Sequence, residues 1–119
     1  MSADRPIEEI LDTMGDQHAR RVLIALSKEE LSAKELRDET GLSLPTIYRR
    51  IEMLKEHDLV GENTVVADDG NHFRVFECTF DSTLIRLSDD EFDIRIYRTE
   101  NLPSKFENLW DDLSRRQKG

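Results

Sequence analysis

Apolar residues along this chain first recur with a helical period and later with a strand period. Ile7, Ile10, Leu11 and Met14 stand at i, i+3, i+4 and i+7, one stripe of a helix opened by Pro6 and stopped by Gly15. Ala19, Val22, Leu23 and Leu26 form the next stripe, behind Asp16 as N-cap. Ser32, with Glu35 three residues on, has the form of a capping box, and the helix it starts closes at Gly41. A fourth helix begins after Ser43, with Pro45 tolerated in its first turn and Ile47, Ile51 and Leu54 facing inward.

After His57 the period changes. Residues 59–67 and 72–80 are β-rich runs around the turn DDGN, which predicts a hairpin. A smaller hairpin follows, TLIRL and FDIRIYR around SDDE, with Phe92, Ile94 and Ile96 alternating against Asp93, Arg95 and Tyr97. Pro103 then opens a last helix, with Phe106, Leu109, Trp110 and Leu113 again at i, i+3, i+4 and i+7. The order predicts an α+β fold. One domain over 1–119 is expected, with a core of about 16–80 and a segment 81–119 holding the second hairpin and a C-terminal helix.

Composition narrows the class. The chain has 119 residues, 37% of them hydrophobic and 36% charged, which suits one globular domain. No apolar run approaches the ~20 residues of a membrane span, and no signal-peptide core precedes the first helix, so a cytoplasmic location and no membrane partner are expected. Cys78 is the single cysteine, which excludes an intramolecular disulfide and a Cys-x-x-Cys metal site and fits a reducing compartment. There are 26 acidic against 17 basic residues, a net charge of -9, and Arg outnumbers Lys. The acids are spread along the chain and form no tail. Such a carboxylate coat resembles proteins of salt-loving archaea, although an ordinary acidic cytosolic protein has the same composition.

The run LSAKELRDETGLSLPTIYRRIEMLKEHDLV, leading into the hairpin, resembles the winged-helix branch of helix-turn-helix proteins. Ala33, Glu35, Leu36, Gly41, Ser43, Thr46, Ile47, Arg49, Ile51 and Leu54 occupy the places of that pattern. Asp58 replaces the usual glycine after the reading helix and tolerates left-handed geometry. The whole chain is similar to small haloarchaeal winged-helix regulators of the arsenic-repressor-like group. The resemblance implies a DNA-binding transcription regulator, with a recognition helix over about 43–57 and a wing over about 65–76.

A recognition helix must be apolar inward and polar outward near its N-terminus, because one helix fills a major groove ~12 Å wide. Ser43, Pro45, Thr46, Tyr48, Arg49 and Arg50 are the candidate DNA contacts there, with Lys34 at the start of the preceding helix and Asn71, His72 and Arg74 on the wing. Residues 43–57 carry three basic and two acidic side chains, whereas residues 81–112 carry four basic and nine acidic, so the acid load lies away from the reading helix. Adjacent arginines also read as a solvated face, Tyr48 as packing beneath the turn, and hairpin-tip polars as solubility. A homodimer on a pseudo-palindromic operator is expected, since one helix reads few base pairs. Ile7, Ile10, Leu11, Phe106, Leu109, Trp110 and Leu113 are its candidate seam, or else core.

The alternative is a winged-helix module that binds protein and not DNA. No enzyme is expected: the chain lacks a nucleophile elbow, a phosphate-cradling loop and a metal cluster. His18, His57 and His72 have no ligand spacing, so neither metal nor cofactor is expected. Cys78, mid-strand in FRVFECTF, reads as a small buried hydrophobe and not a redox centre.

Overall fold

A computed structural model describes residues 5–98. The chain divides into two compact units, one ending at Thr79 and the next starting at Phe80. In the first unit, α1 (Arg5–Met14), α2 (Gln17–Leu26), α3 (Ala33–Thr40) and α4 (Leu44–Glu56) precede strands β1 (Val60–Val66) and β2 (His72–Cys78). The second unit holds strands β3 (Ser82–Ser88) and β4 (Glu91–Tyr97) among its described residues. The architecture is α+β, a winged helix-turn-helix with an added N-terminal helix and a second small hairpin. The predicted C-terminal helix lies outside the described residues.

Local chemistry sets the helix ends. Asp16 caps α2 by accepting from the Ala19 amide at 2.8 Å. Ser32 and Glu35 form the reciprocal capping box of α3, and Gly41 ends that helix at φ +77°, where a Cβ is disfavoured. Ser43 caps α4, with Pro45 in its first turn. Asp58 takes φ +58°, the left-handed turn that its side chain tolerates, and the chain passes from α4 into β1.

The core of the first unit is one interdigitated cluster. Val22 of α2, Leu36 of α3, Ile47, Ile51 and Leu54 of α4, Leu59 and Phe76 of β2 are fully buried. These are the residues that the 3.6-residue period places inward, with Phe76 reaching in from the sheet. β1 and β2 pair antiparallel from Val60↔Cys78 to Val66↔His72. Leu31, just before α3, adds a backbone bridge to Phe76: its amide donates at 3.1 Å and its carbonyl accepts at 2.8 Å. The wing is thereby stitched to the helical layer at its root. Cys78 departs from expectation: it is half-buried at the strand end, where pairing stops, and not enclosed like Phe76.

In the second unit β3 and β4 pair from Ser82↔Tyr97 to Ser88↔Glu91. Asp89 and Asp90 both adopt positive φ, +53° and +66°, as a two-residue hairpin turn requires. Opposed residues share a face, so Ile85, Leu87, Phe92 and Ile94 lie together. Ile85, Leu87 and Phe92 are exposed.

Candidate nucleic-acid interface

The turn between α3 and α4 is built to hold the two helices at one angle. Thr40 Oγ1 donates to the Leu36 carbonyl at 2.7 Å and accepts from the Leu42 amide at 3.2 Å. The Arg21 guanidinium of α2 donates to the Thr40 carbonyl. Leu42 is buried beneath the turn. The Leu36, Arg37 and Thr40 carbonyls at the end of α3 therefore all accept, and the start of α4 is fixed relative to the core.

Ser43 and Thr46 sit together at that start. Ser43 Oγ accepts from the Thr46 amide at 3.4 Å and donates to Thr46 Oγ1 at 3.0 Å. Ser43 and Pro45 are exposed and Thr46 is half-buried. At 3.6 residues per turn, Arg49 lies roughly 170° from the mean direction of Ile47, Ile51 and Leu54, and Arg50 only about 70° from it. The structure bears out this difference. Arg49 is exposed and has no partner among the described residues. Arg50 is half-buried, and its Nε and Nη2 donate to Asp16 Oδ1 and Oδ2, each at 3.1 Å. The two adjacent arginines have different tasks: one ties α4 to the cap of α2, and the other faces outward.

That pairing perturbs Asp16. The hydrogen bond from Arg50 holds its carboxyl below the usual range, with the Ala19 amide adding to the effect against desolvation. Asp16 serves two helices at once.

A second network links α4 to the wing. Glu62 of β1 accepts from Lys55 Nζ at 2.7 Å and from Arg74 Nη1 at 3.3 Å. The Lys55 bond, with charge from Arg74 and Lys55, holds the Glu62 carboxyl below its usual range despite desolvation. The Arg74 guanidinium also lies 5.9 Å from the Tyr48 ring centre and 5.5 Å from that of Phe76. Tyr48 is 43% exposed, so it packs against the wing arginine and not beneath the turn. An open cleft of about 380 Å³ lies between these elements, lined by Ser32 and Lys34 of α3, Tyr48 of α4, and Phe73, Arg74 and Phe76 of β2.

Of the predicted contacts, Lys34, Tyr48 and Arg74 surround this cleft, and Ser43, Pro45, Thr46 and Arg49 occupy the first half of α4. Asn71 and His72 are exposed at the wing turn, where Asn71 is held by Asp69 through its amide at 3.0 Å and its side chain at 2.9 Å. Glu62, Ser32 and Phe73 were not among the predicted residues. The hairpin register, which sets Glu62 opposite Phe76 and next to Thr64↔Arg74, is the signal that identifies Glu62. Of the candidate seam, Ile10 is buried and Ile7 and Leu11 are half-buried; Phe106, Leu109, Trp110 and Leu113 lie outside the described residues.

Caps, turn, outward helix face and wing define a winged helix-turn-helix unit. A family model described as a helix-turn-helix domain matches residues 14–61, from the end of α1 to the second residue of β1. Among solved structures the chain is similar to a Campylobacter jejuni peroxide stress regulator, at 18% identity and a TM-score of 0.48, over 100% of this chain and 87% of that one. It is also similar to the Vibrio cholerae ferric uptake regulator, at 16% identity and a TM-score of 0.42, over 87% of this chain and 79% of that one. No curated protein matches the chain. No described helix is long and apolar enough to cross a membrane.

Proposed function

We propose that this protein is a sequence-specific, DNA-binding transcription regulator that acts as a homodimer. The observation that carries the reading is Arg49: exposed, unpartnered among the described residues, and opposite the buried face of a capped helix in a matched helix-turn-helix domain. α4 enters the major groove with Arg49 at a base edge or the adjacent phosphate, while Ser43, Pro45 and Thr46 lie along the backbone. Lys34, Tyr48 and Arg74 approach a flanking phosphate, and Asn71 and His72 reach the minor groove or backbone. Arg50 supports the reading helix from behind through Asp16.

Two copies on a pseudo-palindromic operator set the reading helices about one DNA turn apart, ~34 Å. The seam is proposed to involve Ile7 and Leu11 of α1 with the stripe from Phe106 to Leu113. The acid coat, net -9, suits a concentrated-salt cytoplasm of the haloarchaeal kind, where the Debye length shrinks to ~3 Å at 1 M and repulsion from DNA is screened. Fluorescence anisotropy with labelled duplexes from the protein's own promoter, against scrambled duplexes, tests the reading. Saturable binding that prefers the promoter supports it. Equal, weak binding to both sets excludes a sequence-specific regulator and returns the alternative of a protein-binding module.

A further inference from the structure

Away from the reading face, two elements distant in sequence bring metal-ligating side chains together. Glu9 of α1, Glu56 at the end of α4 and His57 just beyond it each offer one ligand atom, and these atoms lie within 4.8 Å of one another. Consecutive residues inside a helix diverge by about 100° and cannot share a ligand. His57 escapes this constraint because it has left helical geometry, at φ -106° and ψ 14°, while its amide still donates to the Leu54 carbonyl at 3.3 Å. Glu56 and His57 therefore converge from a fixed backbone, and Glu9 meets them from another helix.

The donor set has its own chemistry. One imidazole nitrogen with two carboxylate oxygens suits a borderline divalent ion such as zinc, and the imidazole discriminates against magnesium and calcium, which take oxygen donors. Three protein ligands leave further positions to water. Glu9 and Glu56 are exposed and His57 is half-buried, so an ion enters without opening the core.

We propose that Glu9, Glu56 and His57 bind one divalent first-row transition-metal ion, which clamps α1 to the end of the reading helix α4. The inference stands whether or not the chain binds DNA. Calorimetric titration of the full chain with zinc chloride, in a buffer free of chelators, tests it. One zinc per chain is expected, with Glu9→Gln and His57→Asn each weakening binding at least tenfold and His72→Ala leaving it unchanged. The His57 ring resonances should move on zinc addition while those of His18 and His72 stay in place. Excess magnesium should not compete. Zinc binding unaltered in both Glu9→Gln and His57→Asn, no zinc binding at all, or displacement by magnesium overturns the proposal. Both exchanged side chains lie outside the buried core, so the variants remain folded and the comparison is decisive.

Discussion

Replacing Asp16 by Asn separates two tasks carried by one carboxylate. Asn caps a helix about as well as Asp, so the bond to the Ala19 amide survives in another form. The two charged contacts with Arg50 at 3.1 Å are lost. Hydrogen bonds to charged groups contribute about 1.5–3 kcal/mol when shielded, and exposed ion pairs about 0.2–1 kcal/mol. The Arg50 and Asp16 side chains are 18% and 24% exposed, which places this pair between those limits, at about 1–2 kcal/mol after discounting for solvent. Asp16→Ala should cost about 1 kcal/mol more, because the cap is lost as well. Urea unfolding of both variants, of Arg50→Gln and of Asp16→Asn/Arg50→Gln measures the coupling directly. The pH dependence has a definite sign. The folded carboxyl titrates below its ordinary value of 3.8, so its contribution is complete well above that value and is lost as pH falls through the folded pKa. The gap between wild type and Asp16→Asn should therefore close in acid and stay constant near neutrality. Losses in Asp16→Asn and Arg50→Gln that simply add in the double variant would refute the coupling.

Arg49→Ala should weaken promoter binding by about 1–3 kcal/mol by anisotropy and leave the urea midpoint unchanged, since the side chain has no partner to lose among the described residues; unchanged affinity removes Arg49 from the interface. DNA affinity should fall little, or rise, as KCl climbs from about 0.5 to 2 M, against the steep loss of an ordinary basic binder; calorimetry across that range decides it. Gly41→Ala meets no atom within 4 Å but must adopt φ +77°, so a stability loss of about 1–2 kcal/mol is expected from strain alone, read by thermal melting. Cys78→Ser should keep DNA binding, since the thiol lies at the far end of β2 from the wing tip; loss of binding with stability unchanged would contradict this.

What could be read from the sequence was whatever neighbours in sequence decide. The caps at Asp16, Ser32 and Ser43, the left-handed exits at Gly41 and Asp58, and both hairpin turns depend on a few adjacent residues, and all appear where those residues stand. The buried trio of α4 follows from period alone. The separate tasks of Arg49 and Arg50 were half legible: their angular positions distinguish them, but the partner of Arg50 lies 34 residues away and no local pattern names it. Nor does a local pattern name the Lys55–Glu62–Arg74 chain, whose members are 7 and 12 residues apart and meet only once the wing register is set. Spacing along the chain also gave no hint that Glu9 would approach Glu56 and His57, because helix packing, not sequence interval, brings them together.

The Leu31–Phe76 bridge has a mechanical consequence for the wing. It anchors the ribbon at one end, while Val66 and His72 close the other. Four residue steps at ~3.4 Å, from Phe76 to His72, make a lever of about 14 Å, so a tilt of about 10° at the anchor sweeps the tip through roughly 2.4 Å. That travel is close to the length of a hydrogen bond. Small torsions in the β1–β2 ribbon thus displace the tip at His72, and the Glu62 links to Lys55 and Arg74 act as the stay that limits them.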